Sequence, residues 1–480
     1  MKKCLKKCLL YIAIGLAILL FATACTNTGA GDEAKNSPQN ETPPGDLTQA
    51  QDFAGQTLAI SLCYDFYNLE KAIKQFNELY PEVTVVLNKY DNDAEKYKQQ
   101  VTTQLMAGKA DDLLDAAGGF SDVQLFDSGL LGDFYPLMLK DPAFNKDDYY
   151  MNVFEGMAYN GKLIVFPALF SYEMIGVNNT FSDELVKSFK QYETITYRQL
   201  FDIYNNLPEK GGRYFSRSMD AITALNANLH TFVDFENKKC YFNTPEFIQF
   251  ISDAKNSTSP QKIADGEEGL LFNTPMPGLQ QNRYAAQYLF AEEASNRFLT
   301  YFREKEQLAQ LFSFLGNEVL DRFMSDFDKQ ALSYFIPLAN SDGTLMLVPS
   351  KRFCLNANSK NKELAWEFIK FLTTPEANEN ELLYSFPVNK RVFRSHVSAS
   401  ITEAVDYWRN SGHAVEGETA EVVEAVMSIY EKYNELPMKY QVELYHSIIP
   451  DVLHSFHANI LTAEQAASEL QNKMSLFLME

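Results

Sequence analysis

The stretch TLAISLCYDFYNLEKAIKQFNELYPEVTVVLNK, from Thr57 to Lys89, decides the fold class because a strand, a helix and a second strand follow one another in it. Thr57–Leu62 is a short apolar run typical of a buried strand. The apolar residues after it recur at the spacing of one helix face: Leu69, Ala72, Ile73, Phe76 and Tyr80. Pro81 cannot continue that helix, and the valine-rich run Val83–Leu87 predicts a second strand.

The next residues repeat the same strand and helix alternation. Tyr97, Val101 and Leu105 predict a helix that Gly108 closes, and Leu113–Ala117 reads as a third strand. Alternating units of this kind predict an α/β fold with a parallel sheet covered by helices. Ligands of such sheets bind beyond the carboxyl ends of the strands. That rule indicates residues 63–67 and 117–122 as parts of a binding site.

The N-terminus predicts an exported protein. Four lysines within the first seven residues precede Leu9–Phe21, a run without a charged residue. That run is shorter than the roughly 20 residues that a membrane span needs, and the small residues Ala22–Ala24 suit a signal peptidase. We therefore expect residues 1–24 to be a signal peptide and the remaining chain to lie outside the cytoplasm.

Two interpretations of the cleavage site remain open. The sequence Ala-Thr-Ala alone is an ordinary secretory site that releases a free protein. A small residue directly before Cys25 also resembles a bacterial lipobox, in which the cysteine is acylated, although Ala22 stands where that motif more often has leucine. Residues 26–52 are rich in Thr, Gly, Ser, Asn, Pro and Gln and have the composition of a flexible tether. A tether behind the cysteine favours a lipid anchor at Cys25 and a tether over 25–52.

Size and charge narrow the classes of function. Residues 53–480 are too many for one hydrophobic core and suit two domains. The net charge of −21 includes the lysines of the leader, so the exported chain is more acidic still and nucleic acid is excluded as an expected partner. Cys63, Cys240 and Cys354 are an odd, scattered set, which predicts buried apolar thiols rather than a disulfide framework. No cysteine spacing suits zinc.

Several stretches match, in order and spacing, the elements of one known family: Phe76–Val85, Tyr97–Asp112, Gly129–Pro136, Asn160–Pro167, Val177–Asn179, Ser359–Leu372, Thr374–Glu376 and Phe386–Lys390. The most specific of them is SKNKELAWEFIKFL at Ser359–Leu372, followed by Thr-Pro-Glu. The chain thereby resembles the extracellular solute-binding proteins of bacterial ABC importers, family 1, the group that includes maltose-binding protein. No motif of the family is found over residues 205–345, which leaves the identity of the solute open.

The resemblance implies an architecture and a function. It implies a two-lobed periplasmic-binding-protein-like fold, with crossing strands and a hinge that closes an interlobe cleft on the ligand. Lobe one would be residues 53–167 plus 350–380, and lobe two would be residues 168–349 plus 381–480. It implies a monomeric protein that has no cofactor and catalyses no reaction. Such a protein captures an organic solute, with a carbohydrate as the first expectation, and delivers it to the permease subunits of an ABC importer. A ligand-sensing lipoprotein of the same fold is the alternative, and an exported hydrolase is a third hypothesis.

Eight residues are candidates for contact with the solute: Tyr64, Asp65, Tyr67, Gly118, Gly119, Phe120, Tyr172 and Glu173. The first three follow the first strand, where rings and a carboxylate suit a polar ligand, although a solvated loop fits equally. The glycines and Phe120 follow the third strand, where backbone amides are accessible, although a tight turn fits as well. Tyr172 and Glu173 follow the crossover that the resemblance places at Pro167, and a buried ring beside a surface carboxylate is the other interpretation.

The tryptophan and histidine residues do not indicate a ligand, metal or catalytic site. Trp366 lies on the apolar face of a predicted helix, and Trp408 also favours a helix contact over ligand stacking. His454 and His457 are one helical turn apart, with His446 nearby, but no His-Glu-x-x-His motif completes a metal site. Since no GxSxG motif, phosphate-binding loop or Cys/His pair is present either, we expect binding without catalysis.

Overall fold

The structure of the protein is a computed structural model. It describes residues 53–64, 69–91, 93–116, 123–177, 183–207, 214–215, 220–235, 237–257, 307–313, 334–378, 385–410, 417–440 and 448–479. Everything below concerns these residues unless the text says otherwise.

The strands of this part of the chain are β1 (Thr57–Leu62), β2 (Thr84–Lys89), β3 (Leu113–Asp115), β4 (Leu131–Gly132), β5 (Val165–Val177), β6 (Ile195–Thr196), β7 (Tyr214–Phe215), β8 (Val233–Asp234), β9 (Lys239–Cys240), β10 (Gln307–Ser313), β11 (Tyr334–Ala339), β12 (Leu345–Asn356), β13 (Phe386–Pro387) and β14 (Met438–Tyr440). All but β8 and β9 join one large sheet, and those two pair with each other.

The helices are α1 (Leu69–Leu79), α2 (Ala94–Met106), α3 (Val123–Asp127), α4 (Tyr135–Lys140), α5 (Met151–Met157), α6 (Asp183–Lys190), α7 (Tyr197–Asn205), α8 (Ala221–Ala227), α9 (Leu229–Phe232), α10 (Pro245–Ser257), α11 (Lys362–Phe371), α12 (Pro375–Asn378), α13 (Lys390–Asn410), α14 (Thr419–Asn434), α15 (Ile449–His457) and α16 (Ala463–Met479). A single 3₁₀ turn at Lys146–Asp148 precedes α5. Within the part of the chain that the structure describes, no helix has the length and apolar character to span a bilayer.

The N-terminal alternation of strands and helices is confirmed. β1 pairs in parallel with β2 over its whole length, from Thr57 opposite Thr84 to Leu62 opposite Lys89. On its other side β1 pairs in parallel with β3, where Ile60 lies opposite Leu113. The helices α1 and α2 bury Phe76 and Tyr97 completely, as the apolar spacing predicts. The carboxyl ends of β1, β2 and β3 therefore meet at one edge of the sheet.

Two long antiparallel strands form the centre of the sheet. The pairing of β5 with β12 runs from Val165 opposite Cys354 to Ser171 opposite Val348. On its other side β12 pairs with β3, from Phe353 to Leu355, and beyond the pairing with β5 it continues as the partner of β4. Beyond the other end, β5 continues as the partner of β10 and β11. The two strands thus connect the parallel N-terminal strands with the strands of the second half of the chain.

The buried side chains form two separate hydrophobic clusters, and β5 contributes to both. The first cluster takes its residues from 53–174 and 345–438, and the second from 175–338 and 449–478. Met174 and Ile175, neighbours on β5, belong to different clusters. Phe386 and Tyr430 pack into the first cluster, although the sequence analysis assigns 381–480 to lobe two. The predicted lobe boundaries stay a prediction.

In the first cluster, α5 and β14 are in close backbone contact. Gly156 faces the backbone of β14, and a Cβ atom at this position would overlap the carbonyl oxygen of Met438. One turn earlier, the Nδ2 atom of Asn152 donates hydrogen bonds to the carbonyl oxygens of Asn434 at 2.8 Å and Leu436 at 2.7 Å. The absence of a side chain at Gly156 therefore sets the distance between this helix and the strand.

We predict that Gly156→Ala lowers the free energy of unfolding by about 1–3 kcal/mol, because the added methyl group must push two backbones apart. Gly132→Ala is the matched control, since its new methyl group would meet the side chain of Leu355, at 2.9 Å, rather than backbone. Urea denaturation of both variants measures the difference. An equal loss in the two variants would contradict the backbone contact.

Candidate functional site

The candidate site lies at the edge of the sheet where the first three strands end. Cys63 and Tyr64 follow β1, Tyr90 and Asp91 follow β2, and Asp115 is the last residue of β3. Parallel pairing in register brings these ends together, since Leu62 lies opposite Lys89 at the end of β1. This edge is the place where α/β sheets bind ligands.

One buried carboxylate organises the chain that leaves β1. Asp115 is only 5 % exposed. Its Oδ2 atom accepts hydrogen bonds from the backbone N–H groups of Cys63, at 3.0 Å, and Tyr64, at 3.1 Å. Burial raises the pKa of the Cys63 thiol to about 11, and the charge of Asp115 acts in the same direction. Cys63 is therefore a buried, protonated thiol at neutral pH, and the backbone around it is fixed.

The side chain of Tyr64 lies between the end of β1 and the start of α2. The ring is partly buried and packs against the first cluster. Burial raises the pKa of Tyr64, and the neighbouring Cys63 thiol raises it further. The backbone N–H of Ala94, the first residue of α2, opposes that rise by hydrogen bonding. Tyr64 is thus neutral at physiological pH and can offer a ligand both an aromatic face and a hydroxyl group.

A cavity of about 200 Å³ opens beyond the end of β2. It is lined by Lys89, Tyr90, Asp91, Asp93, Lys96, Tyr97 and Gln100. The volume is below the roughly 300–1,000 Å³ of a complete ligand pocket, so this cavity alone is too small for a drug-sized ligand.

The walls of this cavity combine aromatic and charged groups. The rings of Tyr90 and Tyr97 meet edge to face, with their centroids 4.9 Å apart. Tyr97 is fully buried and donates a hydrogen bond from its hydroxyl to the carbonyl oxygen of Ser61, at 3.2 Å. The Nζ atom of Lys96 lies 2.7 Å from a carboxylate oxygen of Asp91, and both side chains are exposed. A polar solute would thus find carboxylate acceptors, an ammonium donor and an aromatic ring in one place.

The sequence analysis missed Tyr90, Asp91 and Lys96, although a pattern for them existed. It applied the rule on carboxyl ends to the first and third strands but not to the second. The second strand had been recognised, and Tyr90 follows it directly. Applying the same rule to all three strands would have indicated this part of the edge.

Most of the predicted contact residues lie outside the described residues: Asp65, Tyr67, Gly118, Gly119 and Phe120, together with the proposed anchor Cys25. They stay predictions. Described residues nevertheless stand close to both stretches. Tyr64 directly precedes Asp65, and Asp115 stands two residues before 117–122.

Tyr172 is a core residue in this structure. Its side chain is fully buried in the first cluster, with ring centroids 6.0 Å from Phe386 and 6.3 Å from Tyr433. Burial raises its pKa well above the ordinary value. This burial agrees with the second interpretation offered for the residue, and a contact of Tyr172 with a solute stays a prediction. Glu173 is only partly buried and lies on β5 opposite Ser313 of β10, and its contact with a solute stays a prediction.

The chain has the fold of several solved binding proteins, each of low sequence identity. The sugar-binding protein MalE of Xanthomonas citri has a TM-score of 0.55 at 13% identity, over 88% of this chain and 97% of that one. A family 1 extracellular solute-binding protein of Alicyclobacillus acidocaldarius has a TM-score of 0.52 at 14% identity, over 88% and 98%. An oligogalacturonide-binding protein of Yersinia enterocolitica has a TM-score of 0.50 at 13% identity, over 88% and 99%.

The sequence comparisons lead to the same family. No curated protein matches the chain. Residues 71–405, well over half of the chain, match the family described as bacterial extracellular solute-binding protein. Family and fold are those of non-enzymatic binding proteins with two lobes, as the sequence resemblance implied. The chain therefore belongs to the bacterial extracellular solute-binding proteins.

Proposed function

We propose that this protein is a lipid-anchored binding protein that captures a carbohydrate outside the cytoplasm and delivers it to the permease subunits of an ABC importer. The observation that carries the proposal is the passage of β5 from one hydrophobic cluster to the other, with Met174 in the first and Ile175 in the second, and a polar and aromatic sheet edge in the first cluster. Two clusters that are connected through a few residues of β5, and through the short segment between Leu338 of β11 and Leu345 of β12, can change their mutual orientation at those residues. A solute that contacts both clusters would favour the closed arrangement, since only differential affinity shifts such an equilibrium.

The two clusters support a division into lobes that differs from the one predicted. We assign residues 53–174 and 345–438 to lobe one, because their buried side chains pack together. Residues 175–338 and 449–478 form lobe two for the same reason. In this division the segment 386–438 stabilises the lobe that carries the candidate edge.

A carbohydrate is the solute class that the edge suits best. Tyrosine rings bury the apolar faces of sugars, and carboxylates accept strong hydrogen bonds from hydroxyl groups. Tyr90, Asp91 and Asp93 supply these groups in the described cavity, and Asp65 and Tyr67 would add to them. Two of the structurally similar proteins are named for binding a sugar and an oligogalacturonide.

We predict that the protein binds a glycan without converting it into a product. We expect maltotriose, cellotriose or trigalacturonate to raise the melting temperature, and a hundredfold excess over Kd corresponds to about 2.7 kcal/mol of added stability. Asp65→Ala should weaken binding by about 1.5–3 kcal/mol if its carboxylate accepts hydroxyl hydrogen bonds.

Thermal shift, calorimetry and product analysis measure these effects. Asp202→Ala, which removes an exposed carboxylate of α7, is the matched control and should bind like the wild type. Product formation that survives repeated purification, or no shift with any of the three glycans, would count against the proposed function.

The lipid anchor is a separate prediction. Cys25→Ser should release the protein from the membrane fraction of its host, because the acylated thiol is the proposed attachment point. Cys8→Ser removes a cysteine of the leader instead and should leave the protein at the membrane. Cell fractionation with immunoblotting distinguishes the two. Membrane association that persists in the Cys25→Ser variant would refute the anchor.

A further inference from the structure

Two buried aspartates flank β3, and both accept hydrogen bonds from the backbone of β1. Asp112, before the strand, accepts from the N–H of Ala59 at 2.9 Å. Asp115, the last residue of the strand, accepts from the N–H groups of Cys63 and Tyr64 at 3.0 and 3.1 Å. The two carboxylates thus hold β1 at two places by the same kind of bond, Asp112 within the strand and Asp115 just beyond its carboxyl end.

The hydrogen bonds to Asp115 take the place of sheet hydrogen bonds beyond the end of β1. The registered pairing of β1 with β2 stops at Leu62, so the N–H groups of Cys63 and Tyr64 lie beyond the regular parallel ladder. A buried N–H group without an acceptor destabilises a fold, and Cys63 is buried. A single ionised oxygen satisfies both donors with charge-assisted bonds, which are stronger than neutral ones.

The position of Asp115 connects the chain that follows β1 with the centre of the sheet. Its hydrogen bonds fix Cys63 and Tyr64, the described residues after β1. In the sheet, Asp115 is in register with Phe353 on β12, one of the two central strands. One carboxylate therefore holds the start of the candidate site against the centre of the sheet.

We propose that Asp115 is a positioning residue for solute binding, which fixes the backbone of Cys63 and Tyr64 and thereby the side chain of Tyr64. The inference rests on the proposed function and goes beyond it by assigning affinity to a buried group that does not itself meet the solute. The N–H groups of Cys63 and Tyr64 are the contacts through which it would act on the solute site.

Asp112 provides the matched control, because it is equally structural but distant from the site. Besides Ala59, it accepts a hydrogen bond from the hydroxyl of Ser359 at 2.6 Å, and Asn361 also donates to it. Removing the charge of either aspartate weakens the attachment of β1. Only the change at Asp115 alters the backbone at the carboxyl end, where the solute would bind.

The test compares Asp115→Asn with Asp112→Asn in the otherwise unchanged protein. In Asp115→Asn we expect hydrogen exchange of peptides covering Cys63 and Tyr64 to accelerate by roughly tenfold, as expected for the loss of a bond to a charged group. Affinity for the glycan that stabilises the wild type most, among maltotriose, cellotriose and trigalacturonate, should fall by a similar factor. The pKa of Cys63, measured by its alkylation rate against pH, should fall below about 11, since Asp115 contributes to that value.

Asp112→Asn should lower the midpoint of urea unfolding while leaving exchange at 63–64, the Cys63 pKa and glycan affinity as in the wild type. Asp115→Glu is a second variant that keeps the charge, and we expect it to retain the raised Cys63 pKa while losing affinity. Equal losses of affinity at Asp112 and Asp115, or unchanged exchange at Cys63 and Tyr64 in Asp115→Asn, would overturn the proposal. If no glycan binds the wild type but the exchange and alkylation results are as expected, the backbone role of Asp115 stands and the proposed function fails.

Discussion

The antiparallel pairing of β5 with β12 is the constraint on which the rest of the structure depends. Through it, β3 and β4 on one side and β10 and β11 on the other belong to a single sheet. Beyond this pairing β5 continues as the partner of β10 and β11, whereas β12 pairs with β3 on its other side and with β14 at its beginning. The boundary between the hydrophobic clusters falls on β5 itself, between Met174 and Ile175. Two cores are thus joined by backbone hydrogen bonds rather than by one shared interior.

This arrangement explains where the polar and aromatic side chains of the candidate site lie. Parallel strands end together, so the first cluster presents Tyr64, Tyr90 and Asp115 at one edge, and the register of Asp115 with Phe353 puts that edge next to a central strand. The buried carboxylate of Asp115 accepts the hydrogen bonds of Cys63 and Tyr64 beyond the end of the ladder, which holds the backbone of this edge in place. A binding protein needs this combination, since a preformed surface loses less conformational entropy when the solute arrives.

The local patterns of the sequence were sufficient for much of this fold. Strong apolar spacing predicted β1, α1, β2, α2 and β3. Ahead of α16, Thr462 and Gln465 exchange hydrogen bonds as the local pattern Thr-x-x-Gln favours. Trp366 packs in the core as expected, with its Nε1 donating to Asp141 at 2.8 Å. The cluster membership of 386–438 could not be predicted, because it depends on contacts between distant segments. The backbone conformation of Lys351 could not be predicted either. Lys351 has a φ of 47° within β12, a left-handed conformation that tertiary pairing imposes. The sequence has no glycine at this position that would have indicated it.

The central claim is that two lobes joined by β5 and β12 close on a carbohydrate. Small-angle X-ray scattering of the wild-type protein, without and with a saturating concentration of the glycan that stabilises it most, tests this claim directly. The account predicts a smaller radius of gyration in the presence of the glycan, because closure brings the two clusters together. An identical radius of gyration at saturation, together with calorimetric proof that the glycan is bound, would contradict it.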